Sequence, residues 1–119
     1  MNRRPAHTIA LLALALASLS AHANTLADNG LTKEREAQLV RMVRQDCGSC
    51  HGMHLTGGLG PALTQAALGA RATVPYLSAV ITHGIQGTPM PPWKAMLSTR
   101  EADWIATQLL AGFPEEPKE

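Results

Sequence analysis

The feature that most constrains this chain is a five-residue run, Cys47-Gly48-Ser49-Cys50-His51, which contains both of its cysteines. Two cysteines three apart, followed at once by histidine, form the spacing at which a porphyrin is held by two thioethers while the adjacent imidazole is delivered beneath its iron. A Cys-x-x-Cys pair can also be a redox couple, a strained disulfide or half of a zinc site. Here no βαβ pattern surrounds the pair, no second Cys or His pair stands at zinc-finger spacing, and a structural disulfide has no use for His51. The run therefore predicts one haem c per chain, covalently attached through Cys47 and Cys50, with His51 as an axial ligand.

The N-terminus fits that reading. Arg3 and Arg4 precede an apolar run from Ile9 to Ala17, and Ala21-His22-Ala23 offers a small-residue exit. This is the pattern of a secretory signal peptide, with cleavage expected after Ala23. The run is shorter than the roughly 18 apolar residues needed to span a bilayer, so no membrane anchor is expected after cleavage. Asn24 rather than cysteine follows the exit, so no lipid anchor is expected either. Residues 24–119 are then a single domain in the periplasm, the compartment where haem attachment takes place.

With 10 basic and 9 acidic side chains in the whole chain, and Arg3 and Arg4 lost on cleavage, the mature charge is near neutral. No basic face for nucleic acid or for a membrane surface is expected. Two tryptophans, one tyrosine and one phenylalanine make a thin core for a domain of this size, one that a large cofactor would complete.

The helical pattern is legible along most of the chain. Thr32 is placed to cap a helix over Lys33 to Asp46, with Glu34 and Glu36 in the first turn and Leu39, Val40 and Val43 on one face. Residues 52–72 are glycine-rich and read as loop with one helical turn at most. A further helix starts near Thr73, tolerates Pro75 in its first turn, and stops at Gly84. The clearest helix begins at a Ser98/Glu101 capping box and ends at Gly112 and Pro114. No strand is expected, so the fold class is all-α, with long loops wrapped around the haem.

A second axial ligand is sought on the far side of the iron. Met90 lies in Thr88-Pro89-Met90-Pro91-Pro92, where the prolines restrict the backbone and could hold a thioether in place. A sulfur ligand favours ferrous iron and leaves no open position for a substrate. The rivals are Met42, Met53, Met96, His54 and His83. Met42 suits packing or partial exposure, and Met96 suits the core. Met53 and His54 stand too near His51 in sequence to reach the opposite face, while His83 equally suits a charge interaction at a helix end. Gly58, Gly60 and Pro61 could let the backbone approach the haem, with a carbonyl fixing the His51 tautomer. Leu59, Leu63, Ile81 and Trp93 are candidates for lining the haem pocket.

Taken together, Cys47 to His51, Gly60-Pro61-Ala62-Leu63 and Met90 resemble a class I cytochrome c over essentially the whole mature chain. The resemblance implies that the Pro61 carbonyl accepts from His51, that Leu63 touches the haem, and that the first and last helices cross. Asp46 to Met53, Gly57 to Leu63 and Gly87 to Trp93 further resemble the NirC-type cytochromes of denitrifying bacteria. That likeness implies a donor of electrons to the periplasmic nitrite reductase containing haem c and haem d-one; the carrier is expected to be a monomer, itself reduced by an upstream donor. Maturation of haem d-one is the alternative role. Leu39 and Val43 depart from the wider class, many members of which carry glycine and an aromatic residue there, so a looser or repacked helix crossing is expected. A third class of function, a haem enzyme or gas sensor, would need Met90 to leave the iron; the sequence offers no distal acid-base pair for it.

Overall fold

A computed structural model describes residues 28–116; the expected signal segment, residues 1–23, lies outside the described residues. Five α-helices follow in order: α1 (Lys33–Met42), α2 (Gly48–His51), α3 (Gln65–Leu68), α4 (Val74–His83) and α5 (Thr99–Ala111). Between α1 and α2 the backbone winds as a π-helix over Val43–Cys47. No strand occurs among the described residues.

Helix starts follow their caps closely. The Thr32 hydroxyl accepts from the Arg35 amide at 3.1 Å, Thr64 from Ala67 and Thr73 from Tyr76 at 3.3 Å each. At α5 the capping box is complete, because Ser98 Oγ accepts from the Glu101 amide while the Glu101 carboxylate accepts from the Ser98 amide at 2.8 Å. Each such cap satisfies donors that a helix leaves orphaned. One expectation needs correcting. The first helix does not end at Asp46; helical winding continues through the π turn and α2 as far as His51. The π turn inserts an extra residue and so rotates the Cys47-to-His51 segment relative to the face that α1 presents to the core.

The core forms where apolar faces of α1, the π turn, α4 and α5 meet. Leu39, Val43 and Leu55 are its largest fully buried side chains, joined by Leu77, Trp104 and Ile105. Each such burial contributes about 1.5–3 kcal/mol. Leu55 keeps a φ of 60° in the loop after α2, a conformation that costs a branched residue about 1–2 kcal/mol and that its full burial offsets.

The meeting of the first and last helices shows what Leu39 and Val43 do. Both side chains lie fully inside the core, and α5 packs chiefly along α4 rather than α1. Polar side chains bridge α1 to α5 instead: Arg35 Nε pairs with Glu101, and the Trp104 indole donates to Glu36 at 3.1 Å. Met96, expected in the core, is 58% exposed. It lies in the irregular stretch before α5, and neighbouring Leu97 takes the buried position.

Candidate functional site

The site is built first on α2. Helical winding carries Cys47 and Cys50 along one short segment and places His51 at its last turn. Neither cysteine is in a disulfide. Cys50 is exposed, whereas burial, with the Asp46 carboxylate adding to it, pushes the Cys47 thiol up to about 11, so it stays a neutral thiol.

The loop after α2 folds back onto that segment. The Gly60 amide donates to the Cys50 carbonyl and the Gly57 amide to the His51 carbonyl, both at 2.8 Å. This brings the Pro61 carbonyl 2.7 Å from His51 Nδ1. A carbonyl can only accept, so Nδ1 carries the proton and the Nε2 lone pair is left for a metal. The contact that the resemblance implied between these two residues is thus present. Gly60 and Gly58 approach the motif itself: a Cβ on Gly60 would stand 2.7 Å from the imidazole Nδ1 and Cε1, and one on Gly58 would stand 2.8 Å from the Cys50 carbonyl. The imidazole is therefore braced on one face by backbone and oriented by one hydrogen bond.

A second group gathers where α4 ends. The Trp93 amide donates to the Ile81 carbonyl at 3.0 Å and the Lys94 amide to the Thr82 carbonyl at 3.3 Å, which ties the proline-rich loop to the last turn of α4. Within the loop, the Thr88 hydroxyl donates to the Ile85 carbonyl at 2.7 Å and accepts from the Met90 amide at 3.3 Å. Met90 is half-buried; Ile81 and Trp93 are partly buried and pack on the core.

Leu63 also packs on the core, its amide bonded to the Leu55 carbonyl at 2.8 Å, whereas Leu59, another pocket candidate, is 93% exposed. Of the rival ligands, Met53, His54, His83 and Met96 are all exposed and Met42 is partly buried against the core. Among the described residues, no three His, Cys, Asp or Glu side chains converge as a metal site. One imidazole and one thioether, with two free thiols beside the imidazole, are a donor set that suits a metal whose other four positions are filled by a porphyrin.

Comparison with known proteins settles the family. The family model described as cytochrome c oxidase, cbb3-type, subunit III matches residues 23–107. Cytochrome c55X of Stutzerimonas stutzeri is 44% identical over 92% of this chain and 95% of its own length. The solved c-type cytochrome NirC superposes with a TM-score of 0.65 at 47% identity, covering 68% of this chain and 94% of that one. The chain belongs to the NirC-like class I cytochromes c. This cytochrome is accordingly an all-α, haem c-binding protein that transfers electrons and is not an enzyme. It is also 33% identical, over 74% of its length, to 18% of the dihydro-haem d1 dehydrogenase of Pseudomonas aeruginosa.

Two residues that hold the site together were not visible in the sequence. Arg44, on the π turn, is buried; its guanidinium donates to the carbonyls of Met53 at 3.2 Å, Phe113 at 3.1 Å and Pro114 at 2.8 Å. It also lies 5.5 Å from the centre of the Phe113 ring. One side chain thereby ties the segment after His51 to the tail after α5. Thr88 is the other, and its place two residues before Met90 was the available clue.

Proposed function

We propose that this cytochrome is a periplasmic mono-haem carrier that delivers single electrons to the nitrite reductase containing haem c and haem d-one. Cys47 and Cys50 form the thioethers, His51 Nε2 is the proximal ligand and the Met90 sulfur the distal one. The bound haem supplies an iron that cycles between ferric and ferrous by one electron. The observation that carries the ligand assignment is the 2.7 Å contact from His51 Nδ1 to the Pro61 carbonyl. It fixes the tautomer and aims the remaining lone pair, the arrangement that ligating histidines require.

A single Cys-x-x-Cys-His run supports one haem per chain. Residues 1–23 act as a cleaved export signal, and residues 24–119 work as a soluble monomer. The near-neutral charge suits a small, transient contact with each redox partner, below about 1,200 Å² of buried surface. An upstream redox protein refills the haem.

The test mixes the ferrous holoprotein with the purified oxidised reductase and follows both haem spectra in a stopped-flow instrument. Rapid loss of the ferrous spectrum, matched by reduction of the reductase, is expected; no transfer over minutes rejects the reading. The likeness to a dihydro-haem d1 dehydrogenase favours a second role, in maturing haem d-one. Deleting the gene separates them. A reductase that keeps its haem d-one but is slowly reduced indicates the donor role, and one that lacks haem d-one indicates maturation.

A further inference from the structure

Gly84 and Gly69 are a matched pair. Each is the C-cap of a helix, with φ of 67° and ψ of −170° at Gly84 and φ of 66° and ψ of −178° at Gly69. Their surroundings differ completely. A Cβ on Gly69 would meet nothing within 4 Å, whereas one on Gly84 would stand 2.6 Å from the Met90 carbonyl oxygen and 2.8 Å from backbone atoms of Pro91 and Pro92. The Met90 carbonyl, held there, accepts from the Ile85 amide at 3.2 Å. Capping alone explains a glycine at both sites; it does not explain why a loop backbone rests on one of them.

We infer that Gly84 is a positioning residue for Met90: the missing side chain is a seat for the backbone of residues 90–92, and the end of α4 thereby sets how far the methionine sulfur reaches. This rests on Met90 as the distal ligand. The neighbouring contacts fit the role. The Ile81–Trp93 and Thr82–Lys94 bonds fasten the C-terminal side of the loop to α4, and the Thr88 hydroxyl closes the N-terminal side onto Ile85. At Gly84 and the adjoining Ile85 amide the carbonyl of Met90 itself meets the helix end. A methyl group there cannot be absorbed by a flexible side chain, because the three atoms nearest to it are all backbone. The loop must lift, and the sulfur lifts with it.

The experiment compares Gly84→Ala, Gly69→Ala and Met90→Ala as haem-loaded proteins with the wild type. Imidazole affinity of the ferric form and the sulfur-to-ferric-iron charge-transfer band are the readouts, with thermal stability measured alongside. Both glycine variants carry the same positive-φ backbone cost, so Gly69→Ala measures that cost alone and any further loss of stability in Gly84→Ala reports the lifting of the loop. Gly84→Ala should bind imidazole at least about tenfold more tightly than the wild type, because apparent affinity scales with the fraction of molecules whose sixth position is open, and should lose intensity in the band. Gly69→Ala should stay within about twofold.

If Met90→Ala leaves the band intact, the ligand assignment itself fails. If Met90→Ala abolishes the band while Gly84→Ala behaves like Gly69→Ala, the seat is refuted and the ligand stands. Should Gly84→Ala yield no holoprotein, amide hydrogen exchange in the wild type decides. Displacing the sulfur with imidazole must then speed exchange at Ile85 while leaving Leu109, within α5, unchanged; equal protection of Ile85 with and without imidazole overturns the inference.

Discussion

Replacing Arg44 by alanine removes the donors of three backbone carbonyls at once, those of Met53, Phe113 and Pro114. Each carbonyl left without a partner costs about 1 kcal/mol where water can reach it and up to about 3 kcal/mol where it cannot. Losing the guanidinium over the Phe113 ring adds about 0.5–1 kcal/mol. Glu115, the remaining partner, is 83% exposed on its side chain and stays hydrated, so its loss adds nothing. At the water-accessible end of that range the sum is about 3.5–4 kcal/mol, and it is larger for any carbonyl sealed from water. For a domain of this size each kcal/mol shifts Tm by about 4–8 °C, so the variant should melt at least about 12 °C below the wild type. Far-UV circular dichroism of the haem-loaded protein measures it. Arg44→Met, which keeps the packed stem but not the donors, should lose most of the same stability, and Arg44→Lys, with one ammonium in place of a fork, somewhat less. A fall below about 4 °C for Arg44→Ala, roughly 1 kcal/mol, would refute the claim that this buried cation fastens the tail to the segment after His51.

Other outcomes can be checked separately. Gly60→Ala must push the imidazole back by about 0.8 Å to reach ordinary contact distance, which breaks the bond to Pro61; a less basic histidine then raises the reduction potential, and an unchanged potential in voltammetry contradicts the bracing. Met90→Ala should lower the potential by on the order of 0.1 V, a fraction of the ~0.8 V range that axial ligands span, and let the reduced protein bind carbon monoxide. Burial raises the carboxyl pKa of both Glu36 and Glu101, but hydrogen bonds and charges outweigh it, from Asn29, Lys33 and Trp104 at the first and from Arg35 and Ser98 at the second, so both end below the usual glutamate range. A depressed folded pKa adds stability above the unfolded value, about pH 4.3, and loses it as pH falls through the folded value. Urea midpoints should therefore drop steeply below about pH 4.3, and Glu101→Gln should flatten that slope; an identical slope would remove the α1–α5 bridge as its source.

What the sequence alone determined is whatever depends on near neighbours. The Cys47-to-His51 run needs only five consecutive residues, and the caps at Thr32, Thr73 and Ser98 need partners three positions away, so both are written in local order. One local misreading is a helix ended at Asp46, just before the Cys47-to-His51 run. Gly48 lies buried within the winding, where a Cβ would stand 3.1 Å from the Met53 backbone.

Tertiary structure decided the rest, because those contacts join residues distant along the chain. Arg44 finds the Pro114 carbonyl 70 positions away, and nothing in its neighbourhood marks it as a buried cation. Leu39 and Val43 signalled only that the terminal helices would not meet in the usual manner; that charged and indole side chains would bridge them depended on which face α5 turned toward α1. Gly84 and Gly69 close their helices with nearly the same backbone angles, and only the path of a proline-constrained loop separates them. Local order specifies conformation through short-range hydrogen bonds, whereas excluded volume between distant segments is settled only when the chain has packed.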